Sequence, residues 1–363
     1  MSGGGCSVGG GGGSPASETE SVVSMLSRSL QTSARISERP VAKETSIRDQ
    51  LIFPLGDDDD ILAEKWDWVR KPRSAADKND RLIGEDAEAV PEEFKTYSGP
   101  RQSPVAIDSS AAIPWRFPAL VLHHHWDKHA SITLKNTGHS VEMSFVDDDD
   151  CHCPAAMPYL TGGPLSAEYE FVQMHFHWGN ENHLGSEHII DDKRYAMEAH
   201  LVHYNRSYGS VAEAFKHRDG LAVIGIFLEV GAIENDGLSM LSSRVKDVCA
   251  EKGKCALVRP SAVRGGTDGE EEAAAAALFW VKGVVQSHFA GSASGRGGYF
   301  TYLGSLTTPQ YDENVTWIVF PEPTPISTKQ IAEFRQLMSP TGRVKENFRP
   351  CQPVAGRNIF LAD

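Results

Sequence analysis

The sequence predicts a mainly β fold of the α+β class. We expect a single domain built on a large twisted, mostly antiparallel mixed β-sheet with short helices at its periphery. Three observations carry that expectation. Short runs rich in β-branched and aromatic residues recur along the chain, turns such as Thr161-Gly-Gly-Pro separate them, and helical periodicity is scarce and brief. No internal repeat is present.

From the N-terminus, residues 1–60 do not read as a fold. Met1 to Ala16 holds eight glycines and no apolar periodicity, the composition of a flexible tail. No charged segment leads into an apolar one, so no secretory signal is expected. Residues 25–43 are Ser- and Arg-rich at their start, with no acid before Glu38, and resemble a mitochondrial transit segment, which would act only if translation began at Met25. Residues 61–363 form the expected domain. Its strands are anticipated at Ser131–Leu134, Val141–Phe145, Phe171–Trp178, Ala199–Tyr204, Leu221–Val230 and Val315–Phe320. The helical patterns lie at Val211–Lys216, Leu238–Cys249 and Thr328–Met338. About 257–297 the texture breaks into Gly265-Gly266, an acidic triplet, an alanine run and a Gly/Ser stretch, which reads as an insertion.

Composition narrows the function. Thirty-five basic against 49 acidic residues give a net charge of −14, without a basic stripe, which argues against nucleic acid or anionic lipid as partner. The longest uncharged apolar run, Ala273–Val281, has nine residues, whereas a spanning helix needs about 20, so no membrane partner is expected. The six cysteines are too scattered for a disulfide framework and favour a reducing compartment. Cys151-His152-Cys153 reads as a solvated hairpin tip, and His123-His124-His125 as a solvated cluster outside any strand.

The chemistry concentrates in Phe171-Val-Gln-Met-His-Phe-His-Trp-Gly179. Strand side chains alternate, so Gln173, His175 and His177 share one face while Met174, Phe176 and Trp178 take the other. A second alternating segment puts Glu198, His200 and Val202 on one face. Three neutral imidazoles with an open fourth position suit a catalytic Zn²⁺. Gln173 and Glu198, each two residues before a candidate ligand, are placed to accept the second ring N–H of a ligand.

These segments resemble the α-class carbonic anhydrases. Gln173-Met-His-Phe-His-Trp-Gly, Gly185-Ser-Glu-His188, Glu198-Ala-His-Leu-Val-His, Gly304-Ser-Leu-Thr-Thr-Pro309 and Arg101-Gln-Ser-Pro occur with Leu221-Ala-Val-Ile-Gly-Ile-Phe-Leu and Asn347-Phe-Arg-Pro, in family order. The resemblance implies a zinc enzyme that reversibly hydrates carbon dioxide to bicarbonate and a proton, with His175, His177 and His200 as zinc ligands. It implies that Thr307 accepts the hydrogen bond of zinc-bound hydroxide and donates its own to Glu187. Thr308 lines the polar side, Val202, Val223, Leu306, Val315 and Trp317 form the apolar CO₂ pocket, and His139 shuttles protons, as a near-neutral imidazole can. Asn347 joins Gln173 and Glu198 as support behind the ligands.

Departures from the family pattern are also legible. The cysteines that secreted members carry beside the Gln-Ser-Pro and Leu-Thr-Thr-Pro motifs are missing, which favours an intracellular, cytoplasmic form, with the mitochondrial matrix as the alternative set by Met25. Glu142 and Thr137 stand where amides are usual, and Trp68 near a usual tyrosine. A monomer acting on a small-molecule substrate is expected. The competing function is a carbonic-anhydrase-like binding protein with impaired catalysis. A zinc hydrolase of another fold is disfavoured, because no His-Glu-x-x-His motif occurs.

Overall fold

The computed structural model describes residues 91, 94, 98–125, 131–145, 157–258 and 298–362. The tail 1–60 with its transit-like segment, Trp68, the Cys151–Cys153 tract and residues 259–297 of the expected insertion lie outside the described residues.

Sixteen strands and three α-helices are described. The strands are β1 (Ala106–Ile107), β2 (Ile113–Trp115), β3 (Val121–His123), β4 (Ile132–Asn136), β5 (Val141–Phe145), β6 (Tyr159–Thr161), β7 (Tyr169–Trp178) and β8 (Ile189–Ile190). They continue with β9 (Met197–Asn205), β10 (Leu221–Gly231), β11 (Cys255–Val258), β12 (Tyr299–Gly304), β13 (Val315–Ser327), β14 (Met338–Ser339), β15 (Gly342–Arg343) and β16 (Phe360–Ala362). The helices are α1 (Val211–Ala214), α2 (Asp236–Val245) and α3 (Thr328–Phe334). Twelve strands form one sheet whose main path runs β11-β4-β5-β7-β9-β10-β13-β12-β16-β2, with β3 and β6 attached beside β7. Only β10–β13 and β16–β2 are parallel within it, so the sheet is mixed and mostly antiparallel, as the sequence predicts.

The central strands owe their length to burial on both faces. β9 is buried at all nine positions and β10 at its first eight. Strands covered on both sides read as near-continuous apolar runs rather than clean alternation. One face carries Met174, Phe176, Trp178, Leu201 and Ile224, packed under α3 through Phe334. The other carries Val202, Val223, Val315 and Trp317. The helices are shorter than their sequence patterns. α3 begins at a capping box in which Ser327 and Gln330 bond reciprocally, and it ends at Phe334 rather than Met338.

Two differences from the sequence reading have simple causes. Leu257 and Val258, assigned to the insertion, instead pair with Thr133 and Ile132 as the end of β11. The His123–His125 cluster is not solvated as a whole. His123 ends β3, stacked on Tyr159 at 4.2 Å, and His125 is buried. A three-residue strand is too short to show periodicity, so long-range pairing with β6 decided its place.

Candidate metal centre

Adjacent strands bring three imidazoles together. His175 and His177 project from β7, and antiparallel pairing sets His175 directly opposite His200 on β9. One nitrogen from each ring lies within 4.8 Å of the others. The remaining nitrogens are all engaged. His175 Nδ1 donates to Gln173 Oε1 at 2.9 Å, His177 Nδ1 to the Asn347 carbonyl at 2.9 Å, and His200 Nε2 to Glu198 Oε1 at 2.9 Å. A neutral imidazole has one N–H, so these acceptors leave lone pairs on Nε2 of His175, Nε2 of His177 and Nδ1 of His200.

Electrostatics keep the rings in that state. Burial holds His175 well below the ordinary histidine value, with His177 and His200 adding repulsion. Burial takes His177 down to about 4, and it lowers His200 against the pull of Glu198. Metal ligands must be deprotonated, so neutral imidazoles at pH 7 are what a cation site requires. His177 Nε2 is buried and takes no hydrogen bond among the described residues. A buried polar atom of this kind fits a metal in this cradle.

Glu198 also holds the loop behind the triad. Its Oε2 accepts from the backbone amides of Glu187 and His188, each at 2.8 Å, and its Oε1 accepts a second imidazole from His188 at 2.7 Å. Burial pushes this carboxyl up, but His188 and His200 outweigh it and hold Glu198 well below the usual range. Gly225 on β10 lies beside it, where an added Cβ would come 3.0 Å from Oε1.

Glu187 is fully buried beside the triad. Its Oε1 accepts from Arg349 N at 2.7 Å and lies 3.3 Å from His177 Nδ1, and its Oε2 is 3.8 Å from His200 Nδ1. Burial pushes its carboxyl up to about 7, while His200 and the facing Thr307 hydroxyl draw it down. Thr307 is itself buried, and Thr308 next to it is half-buried.

The family model for eukaryotic-type carbonic anhydrase matches residues 85–265 and 280–363. The chain belongs to the eukaryotic-type carbonic anhydrases. It is 36% identical to carbonic anhydrase 7 of Mus musculus over 282 residues, covering 73% of this chain and 90% of that protein. Carbonic anhydrase 7 of Homo sapiens is also 36% identical, over 275 residues, with the same coverage.

Within this carbonic anhydrase chain, the remaining predicted residues are distributed around the triad. Val202, Val223, Leu306, Val315 and Trp317 lie in one apolar cluster, and the Trp317 ring packs 4.8 Å from His200 and 4.7 Å from His188. Asn347 clamps β7. Its Oδ1 accepts from Trp178 N at 2.7 Å, and its Nδ2 donates to the carbonyls of Phe176 and His139 at 2.9 and 2.8 Å. One side chain therefore links the turn that carries His139 to the strand that carries His177. His139 is exposed on that turn, where Gly138 supplies a φ of +86°. Glu142, one strand over from β7, is opposite His175 in register and buried, which pushes its carboxyl up.

Five supporting residues escaped the sequence reading, although four sit inside motifs it quotes. His188 joins Glu198 to the Tyr302 hydroxyl at 2.7 Å, and Tyr302 donates on to Ser103 Oγ at 3.0 Å. Arg349 holds the Gln102 side chain and the Ser103 carbonyl at 2.9 and 2.6 Å. Tyr302, two residues before Gly304, carried no sequence signal of its own. Among the described residues no helix is long and apolar enough to cross a membrane.

Proposed function

We propose that the chain is a zinc-dependent carbonate dehydratase that converts CO₂ and water to bicarbonate and a proton, and the reverse. The observation that carries this is the tautomer-fixing set, in which each ring has one nitrogen bonded to an acceptor and one nitrogen from each ring lies within 4.8 Å of the others. His175, His177 and His200 would hold the zinc. When bound, zinc supplies Lewis acidity that makes a hydroxide nucleophile available at neutral pH, a chemistry for which carbonic anhydrases are themselves the standard example.

The chain's own residues do the rest. Thr307 accepts a hydrogen bond from the attacking oxygen and donates to Glu187, whose position Arg349 N fixes, so a lone pair points at the substrate carbon. Val202, Val223, Leu306, Val315 and Trp317 give CO₂ an apolar wall, suited to a small molecule without a dipole. Thr308 and the Thr307 backbone receive the charged product. His139, exposed on its turn, exchanges the released proton with buffer.

The same reading places the enzyme in the cytoplasm as a monomer. Cys249, Cys255 and Cys351 are free thiols among the described residues, in keeping with a reducing compartment. A C-terminal fluorescent fusion concentrating in mitochondria would overturn the cytoplasmic assignment.

Stopped-flow CO₂ hydration before and after zinc chelation tests the proposal. Fast hydration, lost on chelation and restored by Zn²⁺, is expected. A folded protein that retains one zinc yet does not hydrate CO₂ would overturn it in favour of a binding protein of this family.

A further inference from the structure

A second pair of histidines lies on the sheet face turned away from the metal centre. His203 is three residues beyond His200 on β9, so alternation puts its ring on the opposite face. His125 follows the end of β3. Their Nε2 atoms are 3.0 Å apart and both rings are buried. Phe171 packs edge-on against both, with centroids 6.3 and 5.5 Å away.

The hydrogen count of this pair does not close with neutral rings. His125 Nδ1 is 2.9 Å from the His123 carbonyl, and His203 Nδ1 is 3.1 Å from the Leu201 carbonyl. A carbonyl only accepts, so each contact requires a hydrogen on Nδ1. The Nε2–Nε2 contact requires a third hydrogen between the rings. Two neutral imidazoles carry two in all. Without the third, two nitrogen lone pairs face each other at hydrogen-bond distance, or one carbonyl loses its donor.

We propose that His125 and His203 form a proton-binding site that takes up one proton as a shared Nε2–H···Nε2 bridge, fastening the end of β3 to β9. Uptake converts one imidazole to imidazolium and satisfies all three contacts at once. A second proton is excluded, since it would set two N–H donors and two charges against each other at this separation.

The surroundings set where uptake occurs. His123 and His124, on the same segment as His125, oppose its charge, and Glu168 favours the charge of His123. β6 adds Tyr159, stacked on His123, and Thr161, bonded to its Nε2 at 2.9 Å. β7 presents Phe171, while its Glu170 bonds Tyr204 and pairs with Arg206. β5 contributes Phe145 behind Phe171, and β10 a backbone contact at Ala222. Burial dominates these influences. It takes His203 to about 3 and His125 well below the ordinary value, so the bridge forms in acid, below the pH at which a free histidine titrates.

The test is long-range ¹H–¹⁵N NMR of histidine ring nitrogens in the full zinc-loaded chain, titrated downward from pH 8. The expected result is one proton taken up by the two rings together before unfolding, both Nε2 resonances moving with a common midpoint on the acid side of a free histidine. In His203→Phe that joint transition should vanish, and the parent titration stands alone should the variant not fold. Two rings that stay neutral until the protein unfolds would overturn the proposal, as would independent titration of each near the free value.

Discussion

Replacing Glu198 by Gln removes one charge and almost no volume, yet it strikes the centre of the site. The carboxylate accepts four hydrogen bonds, two from the amides of Glu187 and His188 and two from the rings of His188 and His200. A Gln has one oxygen and one NH₂ in place of two oxygens, so in either orientation two donors face a donor. Each buried unsatisfied donor costs about 1–3 kcal/mol, and loss of a buried charge offsets part, which leaves about 2–4 kcal/mol of destabilisation. With the NH₂ toward the rings, His200 escapes the clash only by moving its proton to Nδ1, which removes the lone pair that faces the metal point. Zinc affinity should then fall about 10- to 100-fold, the usual effect of losing such a supporting partner. Chelator competition for zinc and denaturant unfolding of the metal-free protein read the two effects separately. Zinc affinity within twofold of the parent, with an unchanged unfolding midpoint, would refute the argument that Glu198 sets the His200 tautomer.

Other perturbations have equally definite outcomes. Gly225→Ala ordinarily gains a few tenths of a kcal/mol from unfolded-chain entropy, but a Cβ 3.0 Å from Glu198 Oε1 in a strand paired on both sides should reverse the sign to a loss of about 1–3 kcal/mol, seen as a lower unfolding midpoint. Val223→Tyr should leave zinc content intact and cut kcat/KM for CO₂ about 100-fold or more by filling the apolar wall. His139→Ala should lower kcat about 100-fold in weak buffer while sparing kcat/KM, with rescue by imidazole buffer, as for a residue that only relays protons. In the metal-free protein, His177 is neutral down to about 4 when folded and to about 6.5 when unfolded, so the unfolded state binds the extra proton in between. Its share of stability is full above about 6.5 and falls by about 3 kcal/mol as the pH drops to 4, which denaturant titrations at stepped pH, compared with His177→Asn, would show as a shallower slope in the variant.

The face-sharing of Gln173, His175 and His177 was legible because strand alternation is a local rule, and residues 171–178 follow it apart from a bulge between Phe171 and Gln173. The choice of Nδ1 on His200 was not. It depends on where Glu198 Oε1 lies, which the crossing of β9, β10 and the 186–188 loop decides. The acceptor for His177 is a backbone carbonyl, which carries no residue identity, so the sequence pointed to Asn347 without revealing which of its atoms serves. The sheet itself was readable in its long central strands and not in β1, β2, β3 or β16, whose two or three residues take their place from long-range pairing. His125 shows the same limit, since its partner His203 is 78 residues away.

X-ray absorption at the zinc edge of the zinc-loaded full chain tests the central claim most directly. The account predicts three imidazole nitrogens and one further light-atom neighbour at about 2.0–2.1 Å, and loss of that pattern in His200→Ala. Sulfur neighbours at about 2.3 Å, or an unchanged spectrum in His200→Ala, would contradict it, because the zinc would then be held by residues other than His175, His177 and His200.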